Sequence, residues 1–226
     1  MLRFGPDSGP VAVVALPLFE EANRTRAFAV AICRALAERG VASVLPDLPG
    51  QGESLVPLEE CGIADIALGL DDATKARSNA DRPLYGVAIR SAALLDRLAP
   101  LRGRWHLAPQ SGSSLLRDIK RIKQASAPRG VLDDLWYSKV DAPEAPLEIA
   151  GNLVSTDLLT ALTIATPWTA GDGGYVRTVR LESDPKPADR HVPGPPLWRR
   201  AEPGNDLPLA ALLADDIADW IAACEG

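Results

Sequence analysis

The sequence predicts an α/β fold: a doubly wound, mostly parallel sheet with helices on both faces. Three observations carry that expectation. Residues 11–16 (VAVVAL) and 41–45 (VASVL) are short, continuous apolar runs, as strands covered on both faces require. Strand-like and helix-like patterns alternate from residue 11 to residue 124, the signature of a parallel sheet. The second run ends in a glycine turn, Asp47-Leu-Pro-Gly-Gln-Gly-Glu-Ser54, just beyond a strand's carboxyl end, where ligand sites form in open sheets of this kind.

Taken in order, residues 11–16 form the first central strand. Residues 23–39 follow helical spacing through Phe28, Ile32 and Leu36, and Gly40 ends that helix. Residues 41–45 are the next strand, 63–78 a helix, 84–89 a third strand and 91–98 a helix. A fourth strand covers 104–107. A helix over 113–124 turns Leu115, Leu116, Ile119 and Ile122 inward and keeps its Arg and Lys residues wet. Residues 126–147, rich in Pro, Asp and Ala, look like an insertion or lid within a single domain spanning 1–226. Residues 155–165 are helical, and 175–181 (YVRTVRL) alternate like a strand partly facing solvent. Seven prolines between 184 and 208 predict an extended loop, and 209–224 close the chain as an amphipathic helix.

Composition narrows the function classes. The chain has 226 residues, enough for one α/β domain with a substantial core. Twenty-four Lys and Arg stand against 30 Asp and Glu, a formal charge of −6 that argues against a nucleic-acid partner. No apolar run approaches the ~18 residues a membrane span needs. Three cysteines, Cys33, Cys61 and Cys224, show no metal spacing and fit a reduced cytoplasmic protein. No cofactor or metal is implied. A small ligand or a protein partner, and an oligomer, stay open.

Several separated motifs carry a resemblance. They are Pro17-Leu-Phe-Glu-Glu21-Ala-Asn23-Arg-Thr-Arg26, the turn from Asp47 to Ser54, Leu147-Glu-Ile-Ala-Gly151 and Gly194-Pro-Pro-Leu-Trp198. The chain thereby resembles the exosortase A system-associated hydrolases, type 2, a branch of the α/β-hydrolase superfamily. The resemblance implies an α/β-hydrolase-like sheet, here truncated at the amino terminus because the usual first strand pair is missing. It also implies an exopolysaccharide and protein-sorting setting.

In an active α/β-hydrolase, G-x-S-x-G puts a serine on a strained strand-to-helix turn with small residues two before and two after it. The corresponding stretch here is Gly86-Val-Ala88-Ile-Arg90, which puts Ala88 at the nucleophile position and Arg90 at the second glycine. A methyl group cannot attack a carbonyl, so the expectation is a catalytically degenerate hydrolase that binds a ligand or partner. The alternative is an active ester or thioester hydrolase or acyltransferase using a displaced Ser91 with His191 as base, though Ser91 also suits a helix cap. His106 is expected to be structural. Asp133, Asp134, Asp172 and Asp184 are loop acids that the sequence does not rank. Glu20, Glu21, Asn23 and Arg26 either line a ligand pocket or pair among themselves, and Trp198 joins the recognition surface.

Overall fold

The computed structural model describes residues 1–76, 82–126, 137 and 145–226. Its main sheet has seven strands, β1 (Leu2–Phe4), β2 (Val11–Ala15), β3 (Ala42–Leu45), β4 (Leu84–Ile89), β5 (Gly103–Leu107), β8 (Tyr175–Leu181) and β9 (Arg190–Val192). They lie in the order β1-β3-β2-β4-β5-β8-β9, all parallel except β1, which runs antiparallel to β3. The remaining strands, β6 (Leu147–Ile149) and β7 (Asn152–Val154), form a separate hairpin. Its turn is Ala150-Gly151, both at positive φ, as a two-residue hairpin turn requires.

Two apolar layers cover the sheet. Helices α1 (Glu20–Glu38) and α5 (Leu207–Glu225) pack on one face against Ala12, Val14, Tyr85 and Trp105. Helices α2 (Ile63–Lys75), α3 (Gly112–Ser126) and α4 (Thr156–Leu162) cover the other, over Val11, Val13 and Ala88. Every residue of β2 is buried, so successive side chains feed opposite cores. That explains why β2 reads as an unbroken apolar run.

Several expectations need correction. One amino-terminal strand is present: β1 is a three-residue, largely exposed edge strand, too short to carry a periodic signal. Helix α1 begins three residues earlier than residue 23, directly after Phe19. The helix expected over 91–98 is a short 3-10 turn, Arg90–Leu94. Strand β9 lies inside the proline-rich stretch because Pro187 and Pro193 flank it rather than interrupt it. Strand β8 is an interior strand that faces solvent in part, as expected, with Tyr175 exposed and residues 176–178 half-buried, while Arg177 and Arg180 pair with Asp216 and Asp184. Ile122 is exposed. Of the segment 126–147, only 126, 137 and 145–147 are among the described residues.

Candidate functional site

The strained turn after β4 has Arg90 at its apex. Arg90 has φ of 58°, a left-handed conformation costing a residue with a Cβ about 1–3 kcal/mol. This corrects the register expected above. Ala88 lies inside β4, paired with Ala15 and His106 and buried. The elbow is therefore Ala88-Ile-Arg90-Ser-Ala92, with alanines two before and two after the apex, as so tight a bend demands. The signal was in the sequence. Anchoring the motif on Gly86 hid it by two residues.

An arginine at this apex has no lone pair to offer a carbonyl carbon. Its guanidinium is held instead. Arg90 donates to both carboxylate oxygens of Glu21, at 3.1 and 3.2 Å, and to the carbonyl of Ala108 at 3.3 Å. It also lies over the Trp198 ring, 5.0 Å from the centroid, a cation–π contact. Burial raises the Glu21 pKa above the ordinary carboxylate value, and the attraction of Arg90 offsets only part of that rise.

Ser91, the second residue of the 3-10 turn, is fully buried, and its Oγ accepts the Leu18 N–H at 2.9 Å. Leu18 belongs to the loop after β2, from which an active hydrolase draws one oxyanion-hole donor. Here one N–H of that loop, that of Leu18, is committed to Ser91. His191 lies in β9, where its Nε2 sits 3.1 Å from the carbonyls of Asp184 and Lys186. Strands β4 and β9 are separated by β5 and β8, three strand spacings or roughly 14 Å. The structure does not bring Ser91 and His191 together. The 3-10 turn Leu197–Arg199, beyond β9, brings Trp198 onto the elbow. His106 is buried in β5 and shares a 2.8 Å hydrogen bond with Asp96. Asp184, at the end of β8, accepts from Arg180 at 2.7 Å. Burial works to raise its pKa, but that bond and the Lys186 N–H outweigh it and lower it.

Residues 20–26 form the first turns of α1, and their charged side chains find partners outside that segment, contrary to the internal pairing that was one of the two expectations. Glu20 accepts from Asn152 of the β6–β7 hairpin at 3.1 Å. Arg26 donates to Asp47 at 2.9 Å, and a Cβ on Gly52 would come within 2.8 Å of the Asp47 carboxylate. The spacing of Asp47 and Gly52 thus serves this ion pair. Asn23 is exposed and lines a small cavity of about 80 Å³ beside Gly50 and Gln51. The four motifs separated in sequence are therefore joined in space: Glu20 to the hairpin, Glu21 through Arg90 to Trp198, and Arg26 to the glycine turn. Sequence reading missed Asn152 and Gln110, which carry no motif of their own.

Past the carboxyl ends of β4, β5 and β8 lies a cavity of about 300 Å³. Arg90 and Trp198 wall it on one side, Gln110 and the α3 residues Ser114 and Arg117 on another, and the Ser183–Lys186 loop on a third. Gln110 is buried and donates to Asp118 at 2.7 Å. Among the described residues, no group of His, Cys, Asp and Glu has the geometry to hold a metal ion.

No protein-family model and no curated protein matches this chain. Solved structures do. Est1E from Butyrivibrio proteoclasticus, with ferulic acid bound, is similar over 96% of this chain and 91% of its own, at 15% identity and a TM-score of 0.59. Alpha/beta hydrolase domain-containing protein 10 from mouse is similar over 98% and 93%, at 14% identity and a TM-score of 0.59. The alpha/beta hydrolase GrgF from Penicillium sp. sh18 is similar over 97% and 91%, at 12% identity and a TM-score of 0.52. The fold is that of the α/β-hydrolases. At such identities the likeness covers architecture and leaves chemistry to the residues on the elbow.

Proposed function

We propose that this chain is an α/β-hydrolase-fold protein that binds a small ligand beyond the carboxyl ends of β4, β5 and β8 without serine hydrolysis. One observation carries the reading. The elbow residue is Arg90, clamped by Glu21 and covered by Trp198, where a nucleophile would stand. Two others support it: the Leu18 N–H is spent on Ser91, and among the described residues no histidine side chain hydrogen-bonds to a residue of the elbow. A concave site of about 300 Å³ suits a small molecule better than a protein surface.

Residues 1–226 are taken as one domain with 126–147 as an insertion. The exosortase-linked, exopolysaccharide setting belongs to the same proposal and rests on the motif resemblance alone. Placement in the cytoplasm rests on three free, buried cysteines.

The reading is tested by incubating the folded protein with fluorophosphonate probes and with short-chain esters and thioesters. No labelling and no turnover above background are expected. Labelling or turnover that disappears in Ser91→Ala would overturn it in favour of a displaced serine mechanism.

A further inference from the structure

The chain is acidic overall, with a formal charge of −6, but the cavity beyond β4, β5 and β8 is not. Five cations line it: Arg90, Arg117, Arg121, Lys186 and Arg199. Two carboxylates, Asp118 and Asp184, face them. The internal pairings leave a clear remainder. Glu21 takes Arg90, Asp118 takes Arg121, and Arg180, from outside the lining, takes Asp184. Arg117, Lys186 and Arg199 have no ion-pair partner among the described residues.

These three come from different elements, namely α3, the loop after β8 and the 3-10 turn Leu197–Arg199. Their convergence is a product of the tertiary fold. Arg117 and Arg121 stand at i and i+4 on α3, where like charges repel, and Asp118 at 3.5 Å from Arg121 compensates only one of them. Leu181, Pro196 and Trp198 supply the apolar part of the lining.

Building on the ligand-binding reading above, we infer that the cavity takes a small organic phosphate monoester. Three uncompensated cations are better balanced by a dianion than by a monocarboxylate. Guanidinium forks match phosphate oxygens with paired N–H donors, which a neutral ester cannot use. The cavity's volume, at the small end of ligand sites, and the buried indole of Trp198 leave room for a compact organic group.

The test compares phenyl phosphate, benzoate and inorganic phosphate by calorimetric titration at one low ionic strength. The pH is set at about 7.5, where a phosphate monoester is close to doubly charged. Phenyl phosphate is expected to bind at least about tenfold more tightly than benzoate. The Arg117→Ala/Arg199→Ala double variant should weaken phenyl phosphate by about tenfold or more, with benzoate much less affected. Both arginines are exposed, so an unchanged melting temperature is expected to certify the fold; if it falls, Arg117→Gln/Arg199→Gln replaces it. Equal affinity for phenyl phosphate and benzoate, or no effect of the double variant, overturns the inference. Inorganic phosphate binding as tightly as phenyl phosphate overturns the organic half of it. The two readings fail separately: ester turnover in the same preparation would sink the non-hydrolytic reading, while a silent protein indifferent to phosphate would sink only this one.

Discussion

Asp216 and Glu21 are both carboxylates set on helices of the same face of the sheet, and both meet arginines, yet their titration shifts have opposite signs. Asp216, on α5, accepts from Trp105, twice from Arg177 and once from Arg190, all within 2.8 Å. Burial pushes its pKa up, but these bonds outweigh it and hold the value down to about 2. Glu21, on α1, accepts from one guanidinium at 3.1 and 3.2 Å, and there burial wins. The first network joins α5 to β5, β8 and β9 and is oversupplied with donors. The second sits at the strand ends and is undersupplied, the condition of a site rather than of a girder.

The largest expected effect tests the first network. Asp216→Ala removes a buried acceptor, leaves the Trp105 N–H unpaired and parts Arg177 and Arg190 from their shared partner, and should cost about 3 kcal/mol in urea unfolding. A loss under about 1 kcal/mol would mean that the network does not hold α5.

Next comes the response to acid. The Asp216 pKa is lower in the folded state than the ordinary 3.8. Its stabilisation is therefore complete above about pH 4 and lost as pH falls towards 2, amounting to about 2 kcal/mol. Glu21 has the opposite sign: its folded pKa is raised, so its contribution favours the fold at low pH and declines as pH rises through that pKa. Unfolding free energies measured across this range should fall with acid in the wild type and lose that component in Asp216→Asn. An unaltered slope in the variant would contradict the assignment.

Ser91→Ala sharpens the contrast at the elbow. Removing Oγ leaves the buried Leu18 N–H without its acceptor, a cost of about 1–2 kcal/mol. Ligand affinity should not change. A variant as stable as the wild type but altered in ligand binding would return Ser91 to the site.

The smallest effect belongs to Glu21→Gln. Losing the charge weakens the Arg90 contact but removes a desolvation penalty, so stability at neutral pH should move by less than about 1 kcal/mol. A loss comparable to that of Asp216→Ala would erase the distinction between the two networks.

Much of the frame was legible in the chain. Strands β2, β3 and β4 announced themselves because an interior parallel strand is apolar on both faces, while β5, with Arg104 and His106, was placed by the alternation of strand and helix patterns. The turn from Asp47 to Ser54 and the terminal helix were readable for similarly local reasons. Strands β1 and β9, with three residues each, fell below the length at which a period of two can be recognised. The candidate site was half legible. Glu20, Glu21, Arg90 and Trp198 were singled out, but without the partners they meet and with the elbow two residues early, because Gly86 imitates the motif's first glycine while Ala88 and Ala92 supply the small residues that the bend uses. Asp47 as partner of Arg26, and Asn152 as partner of Glu20, could not be inferred at all, since each pairing crosses between motifs.

The sequence by itself determined the parallel α/β architecture and that neither position 88 nor position 90 carries a serine, because apolar periodicity and residue identity are local properties. Only the tertiary structure decided which residue stands on the apex, that Glu21 and Trp198 close around it, and that Arg117, Lys186 and Arg199 share one cavity. Those facts depend on backbone torsion and on contacts between segments far apart in the chain. Coulomb and desolvation energies are set by distance in space, and spacing along the sequence does not encode it.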